Sequence, residues 1–157
     1  MTICAQNAKE ILSQIVFSDA QYNVGRGLAP AAYSIVLTSV GVIAEKQLLE
    51  LENRFPCVSI DKYVIMPNHI HVIIVIQKEA AGASPRPTLN SVVGVFKSLT
   101  TRICNENDKT PGRKLFQTSF YEHIIRNEEA YNDICRYIYD NPMKWYHQYK
   151  EEMTNGK

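Results

Sequence analysis

Two histidines separated by one residue, His69 and His71, are the side chains in this sequence best suited to chemistry. They lie in a largely apolar run from Tyr63 to Ile76 that is rich in β-branched residues, which is typical of a β-strand. Because side chains alternate between the two faces of a strand, both imidazoles point to one side and Ile70 points into a core. Burying two polar rings costs free energy unless each finds a partner, and a divalent cation satisfies both. The pair therefore predicts half of a metal site.

A histidine in a strand is more often a hydrogen-bonded structural residue than a ligand, so this alternative stays open for the pair taken alone. Two further features favour the metal site. Pro67-Asn68 interrupts the apolar run, so His69 begins a second strand after a tight turn, where a site can open to solvent. Tyr137 and Asn141, four residues apart near the end of a predicted helix, lie on one helix face.

Two imidazole nitrogens and one amide oxygen form a mixed ligand set with open positions. That set suits Mg²⁺ or Mn²⁺ held also by a substrate phosphate. A cation there polarises the phosphate, and Tyr137 attacks it to form a covalent phosphotyrosine. A free phenol is protonated near neutral pH, so the metal is the expected source of activation. The alternative for Tyr137 is an amphipathic packing residue at a helix end.

The elements that position these residues can be predicted from periodicity and from turn residues. Strands are predicted at 2–5, 31–38, 58–66, 70–76 and 120–125. Helices are predicted at 42–53, after the capping residue Thr88, and from the capping residue Asn127 to Asn141-Pro142. Residues 80–87 are predicted to form a linker, and residues 105–112 a polar loop. This order predicts one α+β domain over 1–157, an antiparallel sheet covered by helices.

Composition places the chain among globular proteins. Its 157 residues are 45% hydrophobic and 21% charged, with no apolar run long enough to span a membrane and no basic start followed by an apolar signal core. We expect a cytoplasmic protein with no membrane partner. The four cysteines form no Cys-x-x-Cys pair, so we expect reduced thiols without assigned chemistry.

The formal net charge is only +1, but it is unevenly distributed. Residues 85–118 carry six basic and two acidic side chains, a net +4 between two mildly acidic segments. The basic residues predicted to meet DNA phosphates are Lys97, Arg102, Arg113 and Lys114. A solvated helix face with a basic loop is the alternative interpretation.

The motifs occur in an order that resembles a known family. They are Pro67-Asn-His-Ile-His71, the helix 88–100, Phe120-Tyr-Glu-His-Ile-Ile-Arg-Asn127 and Tyr137-Ile-Tyr-Asp-Asn-Pro142, with Thr2-Ile-Cys and Val40-Gly41 upstream. Together they resemble the single-tyrosine HUH transposases of insertion sequences, especially the REP-associated tyrosine transposases. The resemblance covers nearly the whole chain.

The resemblance implies a ferredoxin-like sheet with the histidine pair on a central strand and the tyrosine on a helix packed nearby. It implies an enzyme acting on bacterial DNA that cleaves and rejoins single strands beside hairpins, through a 5′-phosphotyrosine and with Mg²⁺ or Mn²⁺. His69 and His71 match the metal ligands, Tyr137 the nucleophile, and Asn141 the third ligand. His123 matches a histidine that supports the ligands or replaces one, with a structural role left open.

Two other functions remain as alternatives at this point. One is a domesticated or decayed copy that binds DNA hairpins without strand transfer. The other is an unrelated metal hydrolase or oxygenase, in which a distant carboxylate joins the histidine pair and Zn²⁺ or Fe²⁺ is the metal. The sequence leaves the choice between monomer and homodimer open.

Overall fold

The computed structural model describes residues 1–17, 33–77 and 87–155. The strands are β1 (Thr2–Cys4), β2 (Ser13–Phe17), β3 (Tyr33–Leu37), β4 (Val58–Ile65) and β5 (His69–Ile76). The helices are α1 (Ser39–Leu49), α2 (Leu51–Arg54), α3 (Leu89–Asp108) and α4 (Glu128–Asn155), with a short 3-10 turn at Gln6–Ala8. Most of the predicted linker at 80–87, and positions 31–32 of a predicted strand, lie outside the described residues.

Within the described residues, the main sheet is antiparallel in the order β1-β5-β4, and β2 pairs with β3 in a separate hairpin. Residues 115–121, which we call the edge segment, lie on the other side of β1 through isolated bridges at Ala5–Phe116 and Thr2–Tyr121. The order edge segment-β1-β5-β4, with α1 and α3 in the two crossovers, is the βαββαβ arrangement of ferredoxin-like folds. The α+β prediction, with an antiparallel sheet and packed helices, is confirmed.

The period-2 alternation of β5 divides the molecule into two apolar clusters. Ile70 and Val72, both fully buried, face the main core with α1 and α3, where Phe96 is also buried. Ile73 faces a smaller cluster with Ile138 of α4. We call these two sides the α1/α3 face and the α4 face.

The helix predicted at 42–53 is instead α1, which starts three residues earlier at Ser39, followed by the short α2 after Glu50, and α3 begins after Thr88 as predicted. The Thr38 and Thr88 hydroxyls accept hydrogen bonds from the backbone N–H groups of Gly41 and Ser91, so each threonine caps its helix. Gly41 packs so close to Leu12 that a Cβ there would overlap the Leu12 carbonyl oxygen. The sequence signal at Val40-Gly41 thus corresponds to a close approach of two backbones.

Helix α3 differs in detail from its prediction. Apolar residues at helical spacing predict one buried side for this helix, formed by Val92, Val93, Phe96, Leu99 and Ile103. The first three are buried, whereas Leu99 and Ile103 are only half-buried. The deepest positions of the following turns are Thr100 and Cys104 instead. The helix also runs to Asp108 and ends at Lys109 in a left-handed conformation, so the first residues of the predicted polar loop are helical. Their polar side chains face solvent, which a helix end tolerates.

Two boundaries were predicted wrongly near the C-terminus. Residues 120–125 form no strand beyond the bridge at Tyr121, because β1 has only three residues and offers no further backbone partners. Helix α4 does not end at Asn141-Pro142 but continues to Asn155. Pro142 removes one helical hydrogen bond, but it is fully buried, and Trp145 packs on the same small cluster one turn later. Tertiary packing thus overrides the helix-ending preference of proline.

The four cysteines carry free thiols. Cys57 and Cys104 are buried free thiols, and Cys4 and Cys135 are half-buried free thiols, as expected. Among the helices in the described part of the chain, none has the length and apolar character needed to cross a membrane.

Candidate active site

The histidine pair lies at the centre of the sheet and faces α4. On β5, His71 stands opposite Thr2 of β1 and Val64 of β4, and His69 stands opposite Cys4. The two imidazole ring centroids are 4.5 Å apart in an edge-to-face arrangement. Strand alternation therefore places both rings on one face, as predicted, and the short β1 brings a hydroxyl to His71.

Helix α4 brings the other two predicted residues to the same place. The Tyr137 ring centroid lies 5.0 Å from that of His71, and the tyrosine side chain is 46% exposed. Asn141, one turn later, is only 7% exposed and lies close enough to the His69 imidazole to act on its pKa. The Asn127 side chain caps the start of α4, and Ile134 and Ile138 anchor the helix to the small apolar cluster. Four residues from two distant segments thus converge.

Hydrogen bonds orient both imidazoles. The Nδ1 atom of His69 lies 2.6 Å from the amide oxygen of Asn68, which can only accept, so this nitrogen donates. In the neutral ring the other nitrogen, Nε2, is then unprotonated. The Nδ1 atom of His71 lies 2.8 Å from the Thr2 hydroxyl. The Nε2 atom of His71 is buried and has no hydrogen-bond partner among the described residues.

Burial keeps both rings neutral. Desolvation lowers the pKa of His69, an effect that the contact with Asn141 partly offsets. Desolvation also lowers the pKa of His71, to about 3, and the proximity of His69 and of the N-terminal ammonium adds to this effect. A neutral imidazole is the form that binds a metal ion.

The donor set fits a divalent cation. An unpartnered buried nitrogen is rare in proteins and calls for an explanation, and a ligand for a cation is one. Metal-bound histidines commonly hold their second ring nitrogen in a hydrogen bond, as Thr2 and Asn68 do here. Within residues 1–17, 33–77 and 87–155, no three His, Cys, Asp or Glu side chains come together at a metal-binding distance. The Asn141 amide, beside the histidine pair, is the candidate for a third ligand.

A cleft of about 350 Å³ opens beside these residues. Its walls include Thr2, His71, His123, Asp133 and Tyr137. His123 is exposed and comes from the loop before α4, so the structure brings this histidine to the cleft as well. Tyr137 lines the cleft and is partly exposed, so its hydroxyl is accessible to a bound substrate.

Sequence reasoning missed three neighbours of the site. Thr2 contacts His71, Trp145 lies with its ring centroid 5.9 Å from His69, and the Lys144 ammonium lies 5.0 Å from the Tyr137 ring centroid. Lys144 and Trp145 follow Tyr137 by seven and eight residues, two helical turns, so a longer helix prediction would have found them. Nothing local predicts Thr2, because its place depends on strand pairing.

The four basic residues predicted to meet DNA lie away from this cleft. The Lys97 ammonium donates to the backbone carbonyls of Gln117, Thr118 and Ser119 at 2.8–3.2 Å, so its three donors hold the edge segment. The other three are distributed along the end of α3 and the loop after it. Arg102 is exposed near Glu106, Arg113 pairs with Asp108 at 2.5 Å, and Lys114 is exposed beside Arg113.

No known protein-family model matches this chain. A protein of Haemophilus influenzae (strain ATCC 51907 / DSM 11121 / KW20 / Rd), described as uncharacterized, is 29% identical over 160 residues, which cover 92% of this chain and 79% of that protein.

Among solved structures, the fold is similar to that of a REP-associated tyrosine transposase bound to a REP hairpin. The TM-score is 0.57 and the identity 21%, and the match covers 91% of this chain. The chain spans 64% of the length of that transposase chain. The likeness establishes a shared fold.

Proposed function

We propose that this protein is a transposase-like enzyme that cleaves and rejoins single-stranded DNA beside hairpins through a covalent phosphotyrosine. The observation that carries the proposal is the clustering of His69, His71, Tyr137 and Asn141 beside a cleft that His71 and Tyr137 line. The fold shared with a transposase that binds a DNA hairpin supports the same substrate class.

In the proposed step, the Tyr137 hydroxyl oxygen attacks the scissile phosphorus. A bond forms between that oxygen and phosphorus, and the bond from phosphorus to the 3′ oxygen breaks. The phenolic proton passes to water, and the leaving 3′ oxygen takes a proton from water. The products are a 5′-phosphotyrosine and a free 3′ hydroxyl, and the reverse reaction with another 3′ hydroxyl rejoins DNA.

The residues that would hold Mg²⁺ or Mn²⁺ are His69, His71 and Asn141, and the bound ion would supply Lewis-acid polarisation of the phosphate. The chain itself supplies orientation. Asn68 and Thr2 keep one nitrogen of each ring occupied, so the other nitrogen is presented in fixed geometry. His71 packs edge-to-face against the Tyr137 ring and so holds the nucleophile beside the ligand set.

Tyr137→Phe tests this proposal directly. The substitution removes one oxygen and almost no packing, so we expect it to abolish the covalent adduct and leave DNA affinity nearly unchanged. The assay incubates the protein with labelled single-stranded DNA flanking a hairpin and Mn²⁺, with and without a chelator, and detects the adduct on a denaturing gel. Tyr139→Phe is the matched control, because Tyr139 is two residues away on the same helix and 75% exposed.

The outcomes separate the competing functions. A chelator-sensitive adduct that Tyr137→Phe removes and Tyr139→Phe retains supports strand transfer. Hairpin binding by the wild type without any adduct would favour a binding protein that has lost strand transfer. An adduct that survives Tyr137→Phe would mean that another tyrosine is the nucleophile.

A further inference from the structure

Lys144 occupies a position that the proposed chemistry has not yet used. Its ammonium nitrogen lies 5.0 Å from the centroid of the Tyr137 ring, while His71 contacts the same ring with its centroid also at 5.0 Å. Lys144 itself is exposed to solvent. The nucleophile's ring is thus in contact with an imidazole of the ligand set and with a permanent positive charge.

These residues belong to one stripe of α4. Positions 133, 137, 141 and 144 are separated by four, four and three residues, so their side chains lie along one face of the helix. Ile134 and Ile138 lie on the neighbouring face that packs on the small apolar cluster. The stripe therefore carries a carboxylate, a phenol, a buried amide and an ammonium, in that order along the helix.

The charges around the cleft determine how the Lys144 ammonium would act on a bound phosphodiester. Asp133 contributes a carboxylate to the cleft wall and Met1 contributes its ammonium group, which donates to the Val72 carbonyl, but no lysine or arginine side chain lines the cleft among the described residues. A phosphodiester brought to Tyr137 therefore meets a negative side chain on one side. The Lys144 ammonium lies over the Tyr137 ring. From there its positive charge can offset the negative charge that develops on the phenolic oxygen and on the phosphate.

We propose that Lys144 is a further catalytic residue, whose ammonium stabilises the negative charge on the attacking Tyr137 oxygen and on the phosphate that becomes attached to it. This inference rests on the proposed function. It involves no additional bond or proton transfer, because Lys144 acts only by the charge of its ammonium group.

Two other roles for Lys144 predict different effects of its substitution. If Lys144 only contacts DNA away from the reacting phosphate, its loss weakens DNA binding and leaves the rate at saturating DNA unchanged. If Lys144 only holds the Tyr137 ring in the fold, its loss lowers the melting temperature, and arginine does not restore the rate independently of stability. If the Lys144 charge acts in the transition state, its loss lowers the rate at saturating DNA. Another cation at the same position then restores that rate.

The experiment measures single-turnover adduct formation across a range of DNA concentrations with Mn²⁺, using the full chain and a hairpin-flanked single strand. The variants are Lys144→Met, which keeps length without charge, and Lys144→Arg, which keeps charge. Lys46→Met is the control for net charge, since Lys46 is exposed on α1 across the sheet. We expect Lys144→Met to lower the saturating rate by about tenfold to a hundredfold, Lys144→Arg to recover most of it, and Lys46→Met to match the wild type.

Each other outcome decides against the inference. A saturating rate for Lys144→Met equal to that of the wild type would overturn it and leave the proposed function intact, and so would a loss confined to DNA affinity. A rate loss that accompanies a lower melting temperature and is not recovered in Lys144→Arg would assign Lys144 to structure. If the wild type itself forms no adduct, both the proposed function and this inference are wrong.

Discussion

The face of β5 that packs on α1 and α3 carries Ile70 and Val72, whereas the face toward α4 carries His69 and His71. The same strand therefore supplies two different environments from alternate residues. Among the residues that the structure describes, sixteen buried ones form one continuous cluster on the α1/α3 face. On the α4 face, the buried cluster has four, Val64, Met66, Ile73 and Ile138.

The two faces of β5 therefore differ in role: the α1/α3 face mainly stabilises the fold, and the α4 face carries the candidate site. The large cluster supplies most of the apolar burial and so most of the folding free energy. The α4 face tolerates a buried imidazole with an unpartnered nitrogen, a half-buried imidazole and a partly exposed tyrosine. Such groups are costly in a core, so they belong on the face where less of the stability resides.

The largest expected effect belongs to His71→Ala, on the α4 face. Loss of this predicted ligand should lower adduct formation by at least about a thousandfold, since charge stabilisation by a bound metal is worth several kcal/mol. The free energy of unfolding without metal should change by no more than about 1 kcal/mol, because the lost packing is offset by removal of an unpartnered buried nitrogen.

Thermal denaturation with and without Mn²⁺ provides a readout independent of activity. Mn²⁺ at one hundred times its dissociation constant should stabilise the wild type by about 2.7 kcal/mol, and this gain should be much smaller in His71→Ala. An equal Mn²⁺ stabilisation of both proteins would contradict the ligand assignment.

Phe96→Ala is the counterpart on the α1/α3 face. Phe96 is 1% exposed and packs against Phe116 with ring centroids 5.4 Å apart. Removing its ring should lower the free energy of unfolding by about 3–5 kcal/mol, which urea denaturation measures. The adduct rate per folded molecule should stay near that of the wild type, and a large fall in that rate would mean that the two faces are coupled.

Tyr131→Phe should have the smallest effect. The Tyr131 hydroxyl donates to the Asp61 carboxylate at 2.7 Å, from α4 to an irregularity in β4 between Ile60 and Lys62. This hydrogen bond, together with one to Cys135, raises the pKa of Tyr131. The bond is near the surface, so its loss should lower the melting temperature by less than about 3 °C.

Tyr131→Phe also tests what holds α4 in position. If the small apolar cluster positions α4, Tyr131→Phe keeps the adduct rate of the wild type. A rate loss of tenfold or more at unchanged melting temperature would show that this hydrogen bond, and not the cluster, sets the position of Tyr137.

Much of the candidate site could be predicted because the placement of its residues depends on local backbone geometry. Alternation along a strand is enough to put His69 and His71 on one face and Ile70 on the other, and a four-residue helical spacing is enough to align Tyr137 with Asn141. The helix caps at Thr88 and Asn127 are local signals too, and both are confirmed. The DNA contacts of the basic residues stay a prediction.

The α+β pattern, the two faces of β5 and the aligned residues of α4 follow from the sequence alone, because each depends on backbone geometry within a few neighbouring residues. Only tertiary packing brings Thr2 to His71, continues α4 through Pro142 and places His71 and Lys144 each beside the Tyr137 ring. These features depend on strand register and on the burial of groups distant in sequence, and their free energies arise only when the elements pack together.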